Sequence, residues 1–174
     1  MIAFFRSLAR WGWVCFTLAW VGCAGYKLGP TNDQIPGGRS VQINPVQNLT
    51  LEPRVGPAVS QALRKEIQRD GTLHLSTSGD ASIIVTTEVT QYQRAEIAYQ
   101  PSDTRTVTDY MITLHARVIA RERITGKELI NRTVAGRYTL LVGSDLASAE
   151  RQGLPSLAED LARNITTLLT EGEW

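Results

Sequence analysis

Apolar and polar residues trade places every second position through much of residues 81–141, the period of a strand with one buried face. Ala81, Ile83, Val85 and Val89 fall on one side. Ser82, Thr86, Glu88 and Thr90 fall on the other, with Ile84 the exception, so a strand is predicted over residues 81–92. A second, over residues 110–122, puts Tyr110, Ile112, Leu114, Ala116, Val118 and Ala120 opposite Met111, Thr113, His115, Arg117, Ile119 and Arg121. Ile124-Thr-Gly-Lys127 is a tight turn, and residues 129–141 return. Ile130, Val134, Tyr138 and Leu140 share one face there, with Asn131, Thr133 and Arg137 opposite. Arg132 falls on the apolar side, which implies a bulge or an edge position. Residues 93–106, polar and interrupted by Pro101, read as a loop. Val41 and Ile43 alternate with Gln42 and Asn44 until Pro45 closes a short strand, at an edge or a strand end. Another short strand is predicted over residues 73–76.

Elsewhere the period changes to that of a helix. Val59, Leu63 and Ile67, with Ala58 and Ala62, form an i, i+4 stripe over residues 55–69. Pro53 and Pro57 sit near its start, where proline is tolerated, and Asp70-Gly71 ends it. Near the C-terminus Leu157, Leu161, Ile165, Leu168 and Leu169 form a second stripe with Ala158 and Ala162. Gly153-Leu-Pro-Ser156 either breaks or kinks this region. Ser156 and Glu159 are spaced as a capping box, which favours a break behind a short helix at about residues 145–152. The order is β-α-β-β-β-α. The fold class is α+β: a two-layer sandwich in which a four-stranded mixed sheet carries two main helices on one face and leaves the other open.

The first 22 residues follow another plan. Arg6 and Arg10 lie in a head without acids, an uncharged apolar run follows over residues 11–21, and Gly22-Cys23 comes next. Basic head, apolar middle and small residue are the parts of a secretory signal, and the run is too short for a lasting membrane span. The Cys after a small residue resembles a bacterial lipobox, with Val21 and Gly22 in place and Trp20 where the pattern has Leu. That resemblance implies cleavage before Cys23, acylation of its thiol and an acylated mature N-terminus; the other readings are an ordinary cleaved signal and a short anchor with a chance Cys. Ala24, not Asp, follows, which by resemblance to lipoprotein sorting implies the outer membrane of a Gram-negative-type envelope, periplasmic side. The organisation is then a signal over 1–22, a lipidated tether over 23–39 and one domain over 40–174.

Composition adds exclusions. With 43% hydrophobic and 20% charged residues the 174-residue chain is neither disordered nor collagen-like. Eighteen bases against 17 acids, a formal +1, give no electrostatic case for nucleic acid. Losing Arg6 and Arg10 with the leader leaves 16 bases against 17 acids, a formal −1. No Gly-x-Gly-x-x-Gly, phosphate loop, His-Glu-x-x-His or Gly-x-Ser-x-Gly occurs, so neither enzyme nor cofactor nor metal is expected. His74 and His115 lie in different predicted strands without a ligand cluster. Three Asn-x-Thr triplets match a glycosylation sequon, which a bacterial envelope protein does not use. The feature that does suggest binding is the open face, where alternation gathers His115, Arg117, Arg121 and Arg137 against Glu88. Guanidinium groups grip phosphate bidentately, so these arginines suit an anionic glycolipid; the plainer reading is a solvated sheet face.

Several of these features recur in order. Cys23-Ala-Gly-Tyr-Lys-Leu28, Val41-Gln-Ile-Asn-Pro-Val-Gln-Asn-Leu-Thr50, Arg64-Lys-Glu-Ile67, Thr108-Asp-Tyr-Met-Ile-Thr-Leu114 and Ile124-Thr-Gly-Lys127 together resemble the LPS-assembly lipoprotein family LptE. The family has Gly after the Cys, where Ala24 intervenes, and Glu-Tyr opening the long strand, where Asp109 stands. The resemblance implies a non-catalytic plug for the LptD-like β-barrel of the LPS exporter, assisting barrel assembly and lipopolysaccharide insertion, and itself able to bind lipopolysaccharide. It implies basic lipopolysaccharide contacts in the second half of the chain, for which Arg105 and Arg132 are the nearest positions; Arg117, Arg121 and Arg137 come from the alternation. The competing reading is an envelope lipoprotein that activates a peptidoglycan synthase or belongs to a curli-secretion-like group. The tether over 24–39 reaches at most roughly 3.5 Å per residue, which keeps the domain near its membrane and favours the exporter.

Overall fold

The computed structural model describes residues 39–100, 102–141 and 145–172. The lipobox, Cys23 and the tether up to residue 38 lie outside them. Strands β1 (Ser40–Ile43), β2 (Gln47–Asn48), β3 (His74–Leu75), β4 (Ile83–Gln100), β5 (Asp103–Glu122) and β6 (Glu128–Leu141) form one mixed sheet, with helices α1 (Val55–Asp70) and α2 (Leu146–Glu171). The sheet order is β3-β1-β4-β5-β6, and β2 continues beside β4. β1 runs parallel to β3 and β4, while β4, β5 and β6 are antiparallel.

The apolar face is assembled by register. Val41 pairs with Ile83, Val85 with Ala120, Val89 with Ala116, and Ala120 with Ile130. These side chains are buried beneath Val59, Leu63 and Ile67 of α1 and Leu157, Leu161, Ile165 and Leu169 of α2. α1 ends at Gly71, whose φ of 73° is the left-handed conformation that glycine adopts without a Cβ penalty. Between β2 and α1 the chain reverses on Asn48. Its Oδ1 accepts from the Thr50 backbone N–H (3.1 Å) and hydroxyl (2.7 Å), and its Nδ2 donates to the Glu52 carbonyl (2.8 Å). The Asn-Leu-Thr triplet is thus a turn device.

Three expectations are corrected. The sheet has six strands rather than four, because Pro45 splits the first segment into β1 and β2 along the same edge of β4 and because β3 joins the sheet. The predicted loop over residues 93–106 is mostly strand: β4 and β5 continue as a hairpin, pairing Ala95 with Met111 and Tyr99 with Val107. Residues 91–97 of β4 are exposed apart from Tyr92, so no apolar alternation was required to build this part. The predicted break in the C-terminal helix is absent. α2 starts at Asp145, whose carboxylate accepts from the N–H groups of Ala147 (3.0 Å) and Ser148 (3.2 Å), and runs through Pro155. Pro155 and Arg151 are exposed, so the Arg151 carbonyl that proline deprives of a donor faces water. Arg132 lies on an edge strand as expected, but the register irregularity beside β6 falls between Ala120 and Arg121, away from it.

Two buried threonines, Thr87 and Thr166, leave a hydroxyl without a hydrogen-bond partner among the described residues. Thr87 is fully buried among apolar neighbours. Thr87→Val keeps the shape and removes the unsatisfied oxygen, and is expected to stabilise the fold by about 1 kcal/mol in urea unfolding. A loss of stability would show that the hydroxyl is satisfied.

Candidate functional site

The face of the sheet away from the helices is the candidate site. Cross-strand partners point to the same side, and the ladders give rows: Gln47–Glu88–Arg117–Thr133, Gln91–His115–Ala135, Gln93–Thr113–Arg137, and Ile84–Arg121–Glu128. Arg121, Arg117 and Arg137 therefore share the open face, as alternation predicts. Successive arginines stand about 13 Å apart along the strand direction, four residues at ~3.3 Å each.

Their surroundings differ. Arg121 is neutralised by Glu128 at 3.3 Å. Arg117 donates from Nε to Asn131 Oδ1 at 2.9 Å and lies across from Glu88. Arg137 is exposed, and its guanidinium has no carboxylate partner among the described residues. Its backbone N–H donates to Asp160 Oδ2 of α2 at 2.9 Å, and Asn164 Nδ2 donates to the Ala135 carbonyl at 2.9 Å. Two helix side chains thus occupy the outward backbone groups of edge strand β6, which would otherwise template another strand. Arg132 pairs with Val118, a core residue, so it stands on the helix side of the sheet and does not join the other arginines. Arg105 lies in β5, within the part that extends beyond the pairing with β6; its side chain lies outside the described ones.

A second cluster was not legible in the sequence. Arg94 of β4 bonds Glu52 at 3.1 Å, lies against the Glu150 carboxylate, and stacks over the Tyr92 ring at 5.4 Å. Burial lowers the affinity of this guanidinium for its proton, but the Glu150 charge and the interactions with Tyr92 and Glu150 together outweigh it, and the balance is a raised pKa. Burial, then the Glu150 charge, pushes the Tyr92 hydroxyl up as well. A cleft of about 230 Å³ lies beside it, lined by Glu52, Arg54, Tyr92, Glu150, Arg151 and Leu154. Arg94 ties β4 to Glu52, in the turn before α1, and to Glu150 of α2, which suits holding these elements together. The members are 42 and 56 residues from Arg94 in sequence, and no local pattern joins them.

Among the described residues no group of three or more His, Cys, Asp or Glu could hold a metal ion, and no helix is long and apolar enough to cross a membrane. The arrangement offers ionic and hydrogen-bonding contacts to an anionic or polar partner.

A family model described as LptE, lipopolysaccharide-assembly, matches residues 38–169. No curated protein matches the sequence as a relative. Solved structures share the fold at low identity. A protein from Xanthomonas campestris is 7% identical with a TM-score of 0.58, over 82% of this chain and 91% of that one. A hypothetical protein from Chlamydia trachomatis is 13% identical, TM-score 0.56, over 76% and 96%. A minor lipoprotein from Acinetobacter baumannii is 15% identical, TM-score 0.51, over 76% and 93%.

Proposed function

The chain belongs to the LptE family of lipopolysaccharide assembly, and from that premise we propose that it is an outer-membrane lipoprotein, acylated at Cys23 and held on the periplasmic side. It plugs and helps to assemble an LptD-like β-barrel, assists lipopolysaccharide insertion into the outer leaflet, and catalyses no reaction. Besides the family match, the observation that supports this is the one-sided sheet. Helices cover one face, and the other presents Arg117, Arg121 and Arg137 in register. A rigid sheet with spaced guanidinium groups suits a ligand that carries several phosphates.

Two measurements test it. Pull-down from detergent-solubilised outer membranes should retain a barrel far larger than this 19.2 kDa chain. Replacing Arg117, Arg121 and Arg137 together with Gln should weaken lipopolysaccharide or barrel binding by roughly tenfold or more, the value of about one charge-assisted contact, with the melting temperature unchanged. Arg137→Gln alone should account for most of the loss, because Arg121 and Arg117 already have partners. Unchanged affinity for both ligands would remove the arginine face from the mechanism; capture of a peptidoglycan synthase in place of a barrel would replace the function.

A further inference from the structure

The two long edges of the sheet are guarded unequally. On β6, Asp160 and Asn164 hold the outward backbone groups of Arg137 and Ala135, both at 2.9 Å. On β4 the last backbone bond to β2 and the turn behind it runs from the Leu49 N–H to the Val89 carbonyl at 2.9 Å. β2 has ended there, and the chain turns away towards α1. β4 itself continues in regular pairing with β5, from Gln91 opposite His115 to Glu96 opposite Tyr110. No strand among the described residues lies on its other side over this stretch.

Hydrogen-bond direction identifies the free groups. Val85 and Val89 give their carbonyls to Asn44 and Leu49, so the odd-numbered residues of β4 face the β1–β2 side up to that point. The extra residue between Val89 and Gln91 reverses the parity. Beyond it Gln93 and Ala95 turn their backbone groups to β5, and Tyr92, Arg94 and Glu96 turn theirs to the unpaired edge. The usual devices that blunt an edge are missing, since residues 91–100 contain neither proline nor lysine. A groove of about 440 Å³ runs beside this edge, bounded by Leu49 and Leu51 on one side and by Gln91, Tyr92 and Arg94 on the other. Leu49 and Leu51 are 66% and 100% exposed. The charged members of the groove, Glu52 and Arg94, pair at 3.1 Å, so it favours a ligand of neither sign.

We infer that the edge of β4 over residues 91–96 takes up an extended, uncharged segment of the barrel's own chain as an added strand, with apolar residues at alternate positions against Leu49 and Leu51. In strand addition the backbone bonds supply affinity and alternate side chains supply selectivity. The size of the edge decides the occupant. Six residues span ~20 Å, and one strand adds ~4.8 Å of width. That is far below the ~800 Å² that each partner gives to a stable interface. Edge pairing alone therefore does not hold two free molecules together, two copies of this chain included. It serves a partner already engaged elsewhere, whose segment then binds as if intramolecularly. A domain seated inside a barrel is surrounded by such a chain.

This inference rests on the barrel partnership proposed above, and its test separates the two. Amide hydrogen exchange, resolved to single residues, is compared between the full chain alone and its complex with the barrel recovered from outer membranes. The N–H groups of Tyr92, Arg94 and Glu96 should exchange at least about tenfold more slowly in the complex, with Gln93 and Ala95 slow in both states. Glu96→Pro removes an outward N–H at an edge, where proline is tolerated, and should weaken barrel capture by roughly three- to tenfold, the value of about one hydrogen bond. Glu96→Ala keeps that N–H and should leave capture unchanged. Equal loss in both variants assigns the contact to the Glu96 side chain and overturns the added strand. If Glu96→Pro does not fold, exchange in the native chain decides alone. A complex without slowing at the three alternate positions overturns the strand and leaves the barrel partnership standing. Slowing that rises with the concentration of the isolated chain gives the edge to a second copy and overturns the barrel segment. Failure of the native chain to capture any barrel overturns the proposed function, and this occupant with it.

Discussion

Gly136→Ala is expected to destabilise the fold by about 3 kcal/mol or more, at the severe end of overpacking. Gly136 sits on β6 opposite Leu114, directly beneath α2. A Cβ built there would stand 2.6 Å from Leu161 Cβ, 2.7 Å from Leu161 N and 2.8 Å from Leu161 Cα. Two of these are backbone atoms of a helix, so no rotamer change relieves them. α2 would have to lift by close to ~0.7 Å, which weakens dispersion contacts along the whole buried stripe. The added methyl at Gly153, by contrast, would meet the ends of the Leu140 and Tyr138 side chains, which can turn aside. Gly153→Ala should therefore cost less. Urea unfolding should show a lower midpoint with an unchanged slope for Gly136→Ala. Thermal unfolding should show a drop of roughly 6–12 °C for a domain of this size. A change below about 1 kcal/mol would mean that the helix does not sit this close to the sheet.

Gly136 also illustrates what the sequence could and could not disclose. Alternation in residues 110–122 is readable because one face is buried by helices and the other is wet, so composition follows geometry. The same holds for Val59, Leu63 and Ile67 of α1. It fails at the far part of the β4–β5 hairpin. Residues 91–97 are largely exposed on both sides, and the strand is held by ladder hydrogen bonds that leave no trace in the order of polar and apolar residues. It fails again at Pro155. A proline on the exposed side of a helix removes one hydrogen bond but leaves the buried stripe of Gly153, Leu157, Ala158 and Leu161 intact on the other. Tertiary packing then overrides the local capping signal at Ser156. For the candidate site, parity placed Arg117, Arg121 and Arg137 on one face, and the register agrees. Parity could not reveal that Glu128 and Asn131 already engage two of them, since side-chain partners depend on cross-strand register that only the bulge beside Arg121 sets. Arg132 shows the converse: its parity puts it with the core, and the edge strand leaves it exposed there.

Leu161→Ala is expected to cost about 4–5 kcal/mol, the upper end of large-to-small substitutions in cores. Leu161 is fully buried, and the cost of such a change depends on how far the surroundings can close over the cavity. Here closure is hindered from both sides. The sheet residue beneath is Gly136, with no side chain to relax into the space. The helix above is pinned on either side of Leu161, by Asp160 to the Arg137 N–H and by Asn164 to the Ala135 carbonyl, both at 2.9 Å. A double variant sharpens the test. Alanine at 161 retains the N, Cα and Cβ that an added methyl at Gly136 would strike, and the space vacated by the lost δ-methyls lies farther out. Leu161→Ala should therefore not rescue Gly136→Ala, and the double variant should be less stable than either single one, measured by urea unfolding of the whole chain. A double variant more stable than Leu161→Ala alone would show that the methyl enters the cavity, and would place the closest approach of helix and sheet somewhere other than the Gly136–Leu161 contact.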